Sequence, residues 1–154
     1  MRSPAKKINS VLEKKFWETK SLHEMNNKEW ESLCDGCGKC CLIKLEDIET
    51  KELSYTDVAC HLLDVKTCRC KNYAKRKDAV DDCLQLMPDD VEDFKWLPST
   101  CTYRLLHEGK PLPSWHYLIC GDRSAVHKKN MSVKNRVVSE TEVLEIAEHI
   151  VFWV

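Results

Sequence analysis

The 154-residue chain is short of net charge, of glycine and of long apolar runs, and each shortage removes a class of function. With 24 basic against 25 acidic side chains the formal net charge is −1, so neither nucleic acid nor an anionic membrane surface is expected as a partner. No stretch reaches the roughly 18 apolar residues of a membrane span. Residues Met1 to Lys15 show neither an apolar h-region nor a cleavage-like site, which points to the reducing cytosol. Of the four glycines, none sits in a phosphate-binding G-x4-G-K-[ST] loop or a G-x-S-x-G nucleophile elbow. A radical-type C-x3-C-x2-C and a deaminase H-x-E…P-C-x2-C are also missing, so no reaction is assigned. Without repeats or low-complexity linkers, the length suits one domain: a flexible basic lead-in over 1–15 and a single unit over 16–154.

What the chain has is cysteine, ten in all. Cys34-Asp35-Gly36-Cys37-Gly38-Lys39-Cys40-Cys41 packs four thiols into eight residues, and six more follow at 60, 68, 70, 83, 101 and 120. Clustered thiols in a reducing compartment favour a thiophilic metal over disulfides. Gly36 and Gly38 allow the positive φ and close backbone approach that N–H···S bonds around a metal exploit.

The local patterns predict an α+β domain with short helices and a short β-hairpin. Asn26 with Glu29 forms a capping box opening a helix through Trp30 and Leu33 into the cysteine run. Leu42–Leu45 and Glu52–Val58 read as a hairpin turning over 46–51 and returning the chain to Cys60. Thr67-Cys68-Arg69-Cys70, if extended, turns both thiols to one side. Helices are expected over Asp89–Leu97 and Thr100–Glu108, separated by Pro98, and a strand over Trp115–Ile119. A capping box at Ser139 and Glu142 introduces an amphipathic helix from Val143 to Val151. The basic run Lys71–Lys77, followed by Asp78, Asp81 and Asp82, reads as a solvated helix face.

The block Glu29 to Gly38 closing on Cys40-Cys41 resembles the bacterial YcgN-like proteins of the CxxCxxCC group, to which zinc or iron chelation is ascribed. The likeness continues through Val58-Ala59-Cys60, Lys66-Thr67-Cys68, Trp96-Leu97-Pro98, Thr100-Cys101, Tyr103 to Leu106, Leu112-Pro113 and Trp115-His116. It implies, in agreement with the spacing, a ligand set of Cys34, Cys37, Cys40, Cys41, Cys60, Cys68, Cys70, Cys83 and Cys101, with Cys120 left out. Zinc and a [4Fe–4S] cluster each take four ligands, so nine thiols mean two centres or some structural cysteines, with Cys83 and Cys101 equally suited to core packing. Adjacent side chains in extended backbone diverge, so Cys40 and Cys41 are expected at different centres or with one thiolate bridging. Overlapping C-x2-C spacings suit an iron–sulfur cluster slightly better than zinc. His61 and His116 are further possible ligands, more often surface histidines. A metal- or cluster-binding protein in metal handling, electron transfer or an accessory role is the leading reading. A zinc-stabilised interaction module and a small metalloenzyme are the alternatives.

Overall fold

Leu33 and Leu42 bracket the cysteine run, and each is buried in a different apolar cluster. Leu33 packs with Phe16, Trp30, Leu97 and Tyr103. Leu42 packs with Ala59, Leu63, Cys68, Val133 and Val137. The run therefore crosses from one core to the other. The computed structural model describes residues 15–80 and 86–154; Asp81, Asp82, Cys83 and all but Lys15 of the lead-in expected over 1–15 lie outside them. Among the described residues no helix is long and apolar enough to cross a membrane.

The architecture is α+β, a small mixed sheet among short helices. Strands β1 (Leu42–Glu46) and β2 (Leu53–Ala59) form the expected antiparallel hairpin, with an irregular register between Leu42 and Lys44. A two-stranded ribbon follows, β3 (Leu63–Asp64) with β4 (Arg69–Cys70). Two segments close to the C-terminus complete the sheet on β2: β5 (Val138–Ser139) runs parallel to it, pairing at Val58 and Ala59, and β6 (Ile150–Val151) runs antiparallel, pairing at Tyr55 and Thr56. The helix Asn27–Ser32 opens with the predicted box: Asn26 Oδ1 accepts from Glu29 N–H at 2.8 Å and Glu29 Oε1 from Asn26 N–H at 3.0 Å.

Four expectations are corrected. Within 89–97 only a 3-10 turn forms, Pro88–Asp90, its start capped by Asp90 Oδ2 taking the Met87 N–H at 2.9 Å; turns follow up to Pro98, which disfavours helical backbone in the residue before it. The next helix is Thr102–His107, so Cys101 is its N-cap residue and not part of its face. Tyr117–Cys120 is helical and not a strand, because His116 Nδ1 accepts from Leu118 N–H at 3.0 Å and Gly121, at φ 78°, stops the turn. The amphipathic stretch after Ser139 is not a helix: it holds 3-10 turns Glu140–Glu142 and Ile146–His149 and ends as β6, the open edge of β2 outcompeting a helix whose Leu144 is fully exposed.

Candidate metal centre

The approach to the cysteine run is anchored at the end of the helix Asn27–Ser32, where the last backbone carbonyls run out of intrahelical donors and that of Trp30 takes the Leu33 N–H at 3.2 Å. Side chains from two distant segments supply them. Tyr103 Oη–H donates to the Trp30 carbonyl at 2.7 Å, Tyr117 Oη–H donates to that of Ser32, and His116 Nε2–H donates to that of Leu33 at 2.8 Å. His116 is fully buried and uses both ring nitrogens on backbone, and burial holds its pKa below the ordinary 6.5. It is a neutral anchor and not a ligand. Cys34 begins the next residue on, at a fixed point.

Inside the run, Gly36 and Gly38 take φ of 80° and 77°. At Gly38 a Cβ would sit 2.7 Å from Cys68 Sγ and 2.8 Å from Val133 Cγ2, so only glycine fits. The Cys37 carbonyl accepts from Val133 N–H at 2.9 Å and from the Cys68 thiol at 3.3 Å, tying the run to the second cluster. Lys39 to Cys41 form a 3-10 turn, so the alternation of extended backbone does not separate Cys40 from Cys41.

The thiols share one electrostatic neighbourhood. Negative charge at Cys40 is felt at Cys34, Cys37, Cys68 and Cys101, each of which is also raised by loss of solvation. Cys68 and Cys101 are pushed up to about 11, first by burial. Cys34 is raised by desolvation and by the charges of Cys40 and Asp35, a rise moderated by the part of its surface open to solvent. Cys40 goes the other way, down to about 7, through a hydrogen bond from Cys41 and the Lys44 ammonium acting against desolvation. Lys44 Nζ is held over the Trp96 ring at 4.5 Å and donates to the Leu42 carbonyl at 2.9 Å. Amides two residues further along, Gly36 for Cys34 and Lys39 for Cys37, favour the thiolate form of each. Soft thiolates supported by a lysine and by backbone amides suit zinc or iron.

The remaining predicted ligands scatter. Cys68 is a core residue at φ 63°, and this left-handed backbone breaks the alternation that would have placed it beside Cys70, which sits partly exposed in β4 opposite Leu63. Cys101 packs against the first cluster, where burial dominates its pKa. Cys60 ends β2, its N–H donating to the Cys41 carbonyl at 2.9 Å. Cys120 is exposed, with its thiol facing the carbonyls of Trp115 and Asp122 at 3.5 and 3.7 Å. His61 meets a residue that the sequence did not single out, Glu140, whose Oε2 lies 2.9 Å from Nδ1. No local signal marks that acid; only the β2–β5 pairing brings it there.

A family model, CxxCxxCC, described as "Putative zinc- or iron-chelating domain", matches residues 33–102. That span begins one residue before Cys34 and ends one after Cys101, leaving Cys120 outside. The chain is similar to a UPF0260 protein of Pseudomonas syringae pathovar syringae, 56% identical over 84% of this chain and 87% of that protein. It is likewise 56% identical to one from Rhizorhabdus wittichii, over 90% and 95%, and 50% identical to one from Pectobacterium carotovorum, over 91% and 95%. No solved structure matches.

Proposed function

Since the chain belongs to the UPF0260 family and carries the CxxCxxCC domain, we propose that it binds zinc or iron, or an iron–sulfur cluster, through Cys34, Cys37, Cys40 and Cys101, and acts in metal handling or as an accessory factor in a reducing compartment. What supports this reading is the family match over residues 33–102 and the placing of Cys34, Cys37 and Cys40 on one short loop between the two apolar clusters, with Lys44 favouring the thiolate at Cys40. Four thiolates complete either a tetrahedral ion or a cubane cluster, and a bound metal would supply charge that holds them together. Cys41 supports Cys40 by hydrogen bonding, Cys68 supports the Cys37 carbonyl, and Cys70 sits in β4 opposite Leu63, while Cys83 lies outside the described residues. None of the nine described cysteines is in a disulfide, as chelation requires.

A second reading, a protein-interaction module stapled by zinc, draws on the exposed apolar side chains Ile48, Leu144 and Phe152. Metal analysis with a visible spectrum on anaerobically purified protein tests both. Brown protein with iron and sulfide supports the cluster and counts against the zinc module, colourless protein with stoichiometric zinc supports a zinc centre in either reading, and protein without bound metal contradicts both.

A further inference from the structure

The parallel pairing of Val58 with Val138 and of Ala59 with Ser139 sets the residues after each strand side by side. Those residues are Cys60 and His61 on one strand and Glu140 on the other. Glu140 Oε2 accepts the His61 main-chain N–H at 2.8 Å and faces Nδ1 of the same residue at 2.9 Å. Sulfur, imidazole nitrogen and carboxylate oxygen all lie within 4.8 Å of one another. The Leu62 N–H approaches Cys60 Sγ at 3.5 Å, the same two-residue offset by which amides support Cys34 and Cys37. Cys60 is thus presented by its backbone as those two thiols are; its main chain meets the run at the Cys41 carbonyl, and its thiol has a histidine and an acid as neighbours.

We propose that Cys60, His61 and Glu140 form a second metal site, with a ligand set distinct from that proposed for the cysteine run, for a divalent ion of the zinc class. A thiolate, a neutral imidazole and a carboxylate offer two negative charges to a doubly charged ion, and mixed sulfur, nitrogen and oxygen donors suit zinc. To ligate through Nδ1, His61 takes the tautomer with its proton on Nε2, and the ion replaces the contact now made between Nδ1 and Oε2. The main-chain N–H of His61 still orients the carboxylate. Three protein ligands leave a fourth position to water or an incoming donor. With 45% of the His61 side chain and 35% of that of Glu140 exposed, the site opens to solvent and its ion exchanges readily. The proposal does not depend on the reading of the run.

Anaerobic titration of the full-length protein, as purified, with cobalt(II) tests it, because a tetrahedral thiolate site gives visible d–d bands and a sulfur-to-cobalt charge-transfer band. The wild type is expected to take up about one added equivalent, and His61→Gln and Glu140→Gln each to bind it at least about tenfold more weakly, with melting temperatures unchanged. Cys37→Ser is expected to keep this uptake while losing the metal of the run. Uptake in both His61→Gln and Glu140→Gln equal to that of the wild type would reduce the trio to a solvated ion pair and overturn the site. Added uptake lost only in Cys37→Ser would overturn it too. Resident metal retained in Cys37→Ser would count against the run and not against this site.

Discussion

Single residues set the run's shape through contacts that their own chemistry demands. Gly36 and Gly38 have the same left-handed backbone, but nothing lies within 4 Å of a Cβ at Gly36, whereas one at Gly38 meets Cys68 and Val133 below 3 Å. Gly36→Ala is expected to cost about 1–2 kcal/mol, the ordinary cost of a side chain at positive φ. Gly38→Ala adds overpacking of about 1–3 kcal/mol against a thiol and a valine methyl. Urea midpoints of the two variants measure the difference; equal losses would show that the second cluster does not press on the loop there. Positive φ at such a glycine is legible in the sequence. The close approach is not, since Cys68 and Val133 lie 30 and 95 residues away.

At the scale of elements, what was legible is what closes locally. The capping box at Asn26 and the hairpin from Leu42 to Ala59 depend on neighbours in sequence and form as expected. The segments after Trp115 do not, because their conformation is decided by distant partners: β2 recruits the last apolar residues as β6, and the Leu33 carbonyl recruits His116. Glu140 was illegible for the same reason. The anchoring of the helix Asn27–Ser32 has a pH signature. His116 binds its proton less tightly folded than at the ordinary 6.5, because the folded state keeps it buried and neutral. Below 6.5 the unfolded chain takes up more protons, so the contribution is fully present above that pH and is lost as pH falls toward the folded value. Wild type should therefore lose stability more steeply than His116→Gln, which lacks the titration, as pH falls below about 6.5. The variant should also be weaker at neutral pH by about 1–3 kcal/mol, for a poorly paired buried carbonyl. Parallel pH profiles for the two proteins would contradict this role.

Across the whole molecule, two apolar clusters are joined through eight residues carrying four thiols, with Leu33 held in one cluster and Leu42 in the other. A metal there would tie the helical part to the sheet, and Cys101, at the start of the helix Thr102–His107, would close the ring from the first cluster. The spacing of Cys34, Cys37 and Cys40 marks the proposed centre in the sequence, but nothing there separates Cys101 from the other single cysteines; its place in the proposal comes from its position at the start of the helix Thr102–His107. Metal content per chain of anaerobically purified Cys101→Ser, measured beside Cys120→Ser, therefore tests the central claim most directly. The account predicts that Cys101→Ser loses about one metal ion or cluster per chain while Cys120→Ser keeps the wild-type content. Full metal content in Cys101→Ser, or loss in Cys120→Ser, would contradict it.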